Sequence, residues 1–237
     1  MHRLLRVLLM TFGSVVLLVA CGAGEDLGGE PLDLEPVSLQ AMSAEVMGQV
    51  TSVRFGLERT GAPVFIDGAQ SIALDNIDGR FSVPGSADAI LGVTVNGSLR
   101  TELGAIAIDD EVWLSNLTGG FETLPPGFDI DPSLFFDPIG GWMPLIAGLS
   151  DVAVVGEEQR NGATRYHLNG TAPAERMQAI TAGLVSGQDV VIDLWLHPVT
   201  AEVTSVEFST DFDGDTSNWV LELTEYGETF DISPPAE

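Results

Sequence analysis

Asp211-Phe212-Asp213-Gly214-Asp215 sets three carboxylates around a glycine, the ingredients of an oxygen-ligated calcium loop. The stretch lacks the spacing and the terminal glutamate of a full EF-hand loop, and Asp-Gly between two alternating runs is an ordinary hairpin tip. The hairpin tip is the favoured reading, with a weak cation site at Asp211, Asp213 and Asp215 as its alternative. Beyond His2 the histidines are His167, in Tyr-His-Leu, and His197, in Leu-Trp-Leu-His-Pro. Both fall in predicted strands and read as surface or edge residues rather than ligands. Four-coordinate zinc sites draw on Cys or His clusters at short spacing, so no metal is expected. The chain has no G-x-S-x-G elbow, no P-loop and no G-x-G-x-x-G after a strand. Among 35 acidic residues, nothing selects a pair at glycosidase separation. Neither a catalytic residue nor a cofactor is expected, and the chain reads as no enzyme.

The remaining reactive group is Cys21, the single cysteine, which closes Leu18-Val19-Ala20-Cys21-Gly22 at the edge of the one long apolar run. A lone thiol in an exported chain has no disulfide partner. The five residues fit the bacterial lipoprotein pattern, in which the thiol receives a diacylglycerol and becomes the new N-terminus after cleavage. A plain signal peptide with an incidental cysteine is the bland alternative. Residues 1–20, basic at His2, Arg3 and Arg6 and then apolar from Val7 to Ala20, are too short for a comfortable membrane span and read as a signal peptide. Residues 21–36 come next as an anchor and tether: Gly22 to Pro36 holds five acidic groups, four glycines and no basic residue. Such a segment buries too little apolar surface to offset its ordering entropy and reaches at most about 50 Å. A membrane attachment through two or three acyl chains is durable where one is marginal.

The remainder, residues 37–237, is about 200 residues long, which suits one domain with one core. The formal charge is -26, and all nine basic residues are arginine. Nucleic acid is excluded as a partner, because that binding rests on cations neutralising phosphates. Attraction to anionic lipid heads through a basic patch is equally excluded.

Strand-like alternation runs over Val53 to Leu57, Ala87 to Val95, Leu103 to Ala107, Val112 to Leu114, Val152 to Val154, Tyr166 to Leu168, Val190 to Leu196, Val206 to Phe212 and Trp219 to Leu223. Asp78-Gly79, Asn96-Gly97, Asn161-Gly162 and Asp213-Gly214 read as the turns between them, each able to supply positive φ angles. A meandering antiparallel sheet is the result. Val190, Ile192, Leu194 and Leu196 share one face, so that face needs a cover. Three segments have helical spacing: Val37 to Val50 with Leu39, Met42, Val46 and Val50; Pro138 to Leu149 with Ile139, Trp142, Leu145, Ile146 and Leu149; and Ala172 to Leu184 with Met177, Ile180 and Leu184.

Side-chain size adds a second constraint. The inward row Ala87, Ala89, Leu91, Val93, Val95 lies one hairpin from Leu103, Ala105 and Ala107. Alanines at core positions need bulky partners to reach interior density. Without them an apolar space stays open, of a kind that a lipid chain could occupy. Alternatively, the alanines merely let the helices approach closely.

The order of features resembles the LppX/LprAFG family of mycobacterial-type cell-envelope lipoproteins over Val37 to Pro235. The resemblance is carried by LQAMSAEVMGQVTSVRFGLERTG, by D-x-x-V-W-x-x-x-L at Asp109 to Leu117, and by Asp131-Pro132 and Asp137-Pro138-Ile139-Gly140 ahead of a helix. DVAVVGEEQRNGATRYHLNG, VVIDLWLHP and the closing Tyr226-Gly227-Glu228 with Pro234-Pro235 complete it. It implies an α+β fold: a strongly curved antiparallel sheet, a half-barrel, with helices across its concave face around a hydrophobic cavity. It also implies a carrier that binds lipids or glycolipids by their acyl chains and moves or presents them in the envelope. The cavity candidates are then Leu91, Val93, Val95, Ala105 and Ala107 on the sheet; Trp142, Leu145, Ile146, Met177, Ile180 and Leu184 on the cover; and Leu194 and Leu196 on a later strand. The chain departs from the family in having no lysine and in its acidity. The expected partners are a lipid or glycolipid, the membrane through the Cys21 anchor, and a membrane transporter of unspecified kind. Two other readings stand beside this one: a carrier of other lipoproteins, resembling the LolA/LolB half-barrel chaperones, and a noncatalytic surface scaffold with a filled core.

Overall fold

A computed structural model of the chain describes residues 35–109, 111–116, 118–124, 140–181, 184–185, 187–212 and 214–235. Cys21, Ile139 and Asp213 lie outside the described residues. The elements in chain order are α1 (Pro36–Met47), β1 (Ser52–Gly61), β2 (Val64–Phe65), β3 (Ile72–Ser82), β4 (Ser86–Val95), β5 (Leu99–Ile108), β6 (Glu111–Ser115), β7 (Phe121–Thr123), α2 (Trp142–Ala147), β8 (Ser150–Arg160), β9 (Ala163–Ala172), α3 (Ala174–Ile180), β10 (Val190–Leu196), β11 (Val203–Phe212) and β12 (Asp215–Thr224). The strands form one open sheet in the order β7-β6-β5-β4-β3-β1-β12-β11-β10-β9-β8, with β2 beside β3. Two antiparallel meanders thus meet where β1 pairs with β12. Among the described residues no helix is long and apolar enough to cross a membrane.

Local chemistry accounts for the hairpins. Asn96 (φ 49°) and Gly97 (φ 68°) turn β4 into β5, and Asn161 (φ 52°) and Gly162 (φ 82°) turn β8 into β9. Both pairs take the doubly positive φ that matches the strand twist. Gly214 (φ 91°) lies between β11 and β12.

Asp78-Gly79 is different, and the turn expected there is corrected. Both residues sit inside β3, between β1 and β4. Gly79 is a glycine of close approach, because a Cβ there would stand 2.4 Å from Phe55 Cζ and 2.9 Å from the Asp88 carbonyl oxygen. On the opposite face Asp78 pairs with Arg54 at 2.8 Å, and Arg80 Nε donates to Asp88 at 2.9 Å. These charges broke the apparent alternation of β3 in the sequence, although each has a cross-strand partner. The short strands β2 and β7 were also absent from the expected set.

The register carries one apolar row across the sheet: Leu103, Leu91, Ile77, Leu57, Leu221, Val206, Leu194 and Leu168 are successive cross-strand partners. The core joins this face to all three helices through Leu39, Met47, Trp142, Leu145, Ile146 and Met177. The other face is wetter: Val191 is 58% exposed, whereas its neighbours Val190 and Ile192 are buried.

The helices are shorter than their periodicity suggested, and α1 is turned. Pro36 starts α1, as its fixed φ allows. Its buried stripe is Leu39, Gln40, Ser43, Ala44 and Met47 rather than Leu39, Met42, Val46 and Val50. Gln40 explains the turn: its Nε2 donates to the carbonyls of Ile146 (2.8 Å) and Leu149 (3.1 Å), tying α1 to the last turn of α2 and to the residue ahead of β8. Helix α3 begins only after Ala172, which ends β9, with Pro173 at its N-cap.

Both histidines depart from the surface reading. His197 is 6% exposed, and its Nδ1 accepts the backbone N–H groups of Val199 and Thr200 at 3.2 Å, organising the turn after β10. His167 lies between two carboxylates, Nδ1 at 2.8 Å from Glu158 and Nε2 at 2.8 Å from Asp193, and its ring stacks on Trp195 with centroids 4.5 Å apart.

Candidate functional site

On the core face of β3, β4 and β5 the smallest residues fall together. Ala87 pairs with Ala107 and Ala89 with Ala105, while Gly79 pairs with Ala89. Strand alternation places all five on the side of Leu91 and Leu103. Elsewhere on that face stand Phe55, Leu57, Phe208 and Trp219, the last two with stacked rings 5.7 Å apart. The step from bulky to small leaves an apolar hollow of about 130 Å³. Its walls are the alanine patch, the ring of Phe55 and the row through Leu57, Leu221 and Val206; Trp142, Leu145, Met177 and Leu184 close the helix side. Asp88 is the one charged residue among the described lining residues, and alternation turns its side chain to the opposite face, where its carboxylate is held by Arg80. Thr181 has its hydroxyl committed, donating to the Met177 carbonyl at 2.6 Å and accepting from the Val185 N–H at 3.0 Å.

Of the residues the sequence put forward, Leu91, Ala105, Ala107, Trp142, Leu145, Met177 and Leu184 line this hollow. Val93, Ile146, Leu194 and Leu196 are buried in the packed core outside that lining, and Val95 packs against the core with part of its surface exposed. The side chain of Ile180, like Cys21, lies outside the described residues. Sequence reasoning missed Phe55, Leu57, Ile77, Ile192, Phe208 and Trp219 as lining residues. Alternation gave a signal for burial for all of them but Ile77, whose strand β3 was disguised by its charges. Their place beside the alanines depends on register, which alternation does not specify.

A second cluster occupies the opposite face. Glu158 accepts the Trp195 indole N–H at 2.9 Å and faces His167, while the Arg160 guanidinium lies 3.8 Å above the Trp195 ring. Arg160 also pairs with Glu207, and Asn161 donates to Glu222 at 2.9 Å, so the β8–β9 hairpin is tied to β11 and β12. The bond from Trp195, then that from His167, holds the Glu158 carboxyl below its ordinary value of 4.5. A lowered folded-state value means that the stabilisation is present above the unfolded value and is lost as pH falls through the folded one. Acidification from pH 5 should therefore shift the Trp195 indole resonance in a step below about 4.5. Glu158→Gln, which keeps an acceptor but does not titrate, should abolish that step; a wild-type step surviving in the variant would assign it elsewhere.

At the Asp211 to Asp215 hairpin, Asp211 Oδ1 accepts the Thr216 hydroxyl at 2.7 Å. Among the described residues no group of three His, Cys, Asp or Glu is disposed to hold a metal ion.

The profile of the LppX_LprAFG lipoprotein family matches residues 35–232, which takes in the whole sheet and all three helices. The chain belongs to the LppX/LprAFG family. Two solved family structures share its fold. LprF from Mycobacterium bovis is 17% identical with a TM-score of 0.66, and the match covers 88% of this chain and 100% of that one. Lipoprotein LppX from Mycobacterium tuberculosis is 14% identical with a TM-score of 0.58, covering 83% of this chain and 97% of that one. No curated protein matches the chain. At such identities the LppX/LprAFG fold is retained while most side chains differ, so the chemistry of the hollow has to be argued from this chain's own residues.

Proposed function

We propose that this LppX/LprAFG protein is a noncatalytic envelope lipoprotein, anchored through a lipidated Cys21 after loss of residues 1–20. Residues 21–36 tether a single domain, 37–237, that takes acyl chains of lipids or glycolipids into the hollow and carries or presents them. The observation that carries this reading is the lining, almost wholly hydrocarbon, set between an alanine patch and two short helices. Apolar space of this kind stays dry, so hydrocarbon enters without displacing well-bound water.

The volume bears on what fits. A hollow of about 130 Å³ is close to the ~150 Å³ that accommodates a benzene ring, or about six carbons. Six methylenes contribute about 5 kcal/mol, no more than the low end of the cost of association. A full-length chain gains more only by enlarging the hollow. The sheet resists, because its interior strands are hydrogen-bonded on both sides; helices of six and seven residues are marginal by themselves and give way first.

The test is native mass spectrometry of the protein extracted from a bacterial membrane, with uptake of a fluorescent fatty acyl probe measured in parallel. Copurified lipid together with saturable uptake is expected. Repeated recovery of empty protein that also takes up no probe overturns the reading.

A further inference from the structure

Asn-Gly occurs three times in the chain: Asn96-Gly97 between β4 and β5, Asn161-Gly162 between β8 and β9, and Asn169-Gly170 within β9. The pair carries a reaction of its own. The glycine amide nitrogen, which no Cβ shields, gives its proton to a base in the solvent and attacks the asparagine Cγ. The N–Cγ bond forms, the Cγ–Nδ2 bond breaks, and the amide takes up a proton and leaves as ammonia, with a cyclic succinimide remaining. Water then opens the ring: cleavage at Cγ gives aspartate, and cleavage at the backbone carbonyl gives isoaspartate, in which the chain runs through Cγ. Water is consumed and ammonia released, with no oxidant, reductant or enzyme.

The fold holds the three asparagines differently. Asn169 Nδ2 donates to Asp193 at 2.7 Å, and Gly170 is buried opposite Ile192 in a strand paired on both sides. Asn161 is exposed at a hairpin tip, but its Nδ2 donates to Glu222 at 2.9 Å. Asn96 and Gly97 are exposed beyond the last rung of their ladder, Val95 to Leu99. Among the described residues neither the Asn96 side chain nor the Gly97 N–H has a hydrogen-bond partner. A reacting amide has to rotate toward the glycine nitrogen, so any hydrogen bond it makes must break first. Asn96 has none to break, Asn161 has one, and Asn169 needs its strand to open as well. We propose that Asn96 is a site of spontaneous deamidation, with water as co-reactant, and that the fold protects Asn161 and, more strongly, Asn169. Either product adds a carboxylate to an acidic chain, and isoaspartate lengthens the backbone of the loop joining β4 to β5, the strands of the alanine patch. The site lies apart from the hollow and does not depend on the acyl-chain reading.

The experiment ages the purified full chain for weeks at mildly alkaline pH and follows each Asn-Gly peptide by mass spectrometry, with electron-transfer fragmentation to separate aspartate from isoaspartate. Asn96 should convert about fivefold faster than Asn161, the factor that one ordinary hydrogen bond supplies, with Asn169 slowest and both products present at Asn96. In urea the three rates should converge, because the difference belongs to the fold. Glu222→Ala, at an exposed position, should speed conversion at Asn161 and leave Asn96 unchanged. Equal rates at the three sites in the folded wild type, or Asn96 slower than Asn161, overturn the proposal. The ranking is read in the wild-type protein, so a poorly folding variant leaves the test standing.

Discussion

Tryptophan at position 105 should eliminate acyl-probe uptake while leaving the protein folded. Ala105 faces Ala89 across β4 and β5 and lines the hollow, so an indole built there projects into open volume rather than into packed side chains. Displacing even four methylenes of a bound chain removes about 3 kcal/mol, a loss of affinity beyond a hundredfold. The cost to the fold is the ordinary one of overpacking, about 1–3 kcal/mol, reduced by whatever the indole gains in contact. Probe titration and urea unfolding measure the two quantities on the same preparation. Wild-type uptake by a folded Ala105→Trp protein would place the ligand elsewhere.

Trp219→Ala should act in the opposite sense on the hollow and far more strongly on stability. Trp219 is 2% exposed, stacks on Phe208 and donates its N–H to Thr210. Its removal leaves a cavity and an unpaired hydroxyl, and large aromatic deletions of this type cost about 3–5 kcal/mol. Because Trp219 also lines the hollow, the new space joins the old one. A chain that binds the enlarged hollow restores part of the loss by mass action, about 2.7 kcal/mol at a hundredfold excess over its Kd. Urea unfolding with and without methyl nonanoate should show a larger ligand-induced gain in the variant than in the wild type. Val191→Ala, at an exposed position on the other face, is the control and should change stability by no more than about 0.5 kcal/mol. A ligand gain that is no larger in Trp219→Ala shows that the two spaces are not continuous.

Much of the fold was legible because strands and tight turns announce themselves locally. Alternation in Val190 to Leu196 and Trp219 to Leu223 matched the observed burial, and Asn96-Gly97 and Asn161-Gly162 adopted the φ values their types favour. Gln40 and β3 were not legible for one shared reason. A polar residue reads as surface unless its partner is known, and the partners of Gln40, Asp78 and Arg80 lie on other elements. Asp-Gly reads as a turn unless a neighbour's ring needs the missing Cβ, as Phe55 does at Gly79.

The candidate site divides in the same way. The alanines were visible as small residues in an inward row, and Trp142, Leu145 and Met177 as apolar positions at helical spacing. Their meeting around one hollow was not visible, nor was the contribution of Phe55 and Trp219 from strands far away in the chain. By itself the sequence determined the antiparallel meander, the parity of the strands that alternation marked, the acidic surface and the family, because these depend on residue type, nearest neighbours and motif order. Only the tertiary structure decided the register across β1 and β12, the seating of Gln40 on α2 and the hydrogen bonds that Asn161 and Asn169 make and Asn96 does not. Those depend on which distant atoms fill, or fail to fill, the space beside each side chain, and unfilled volume and unmade bonds are properties of the packed whole.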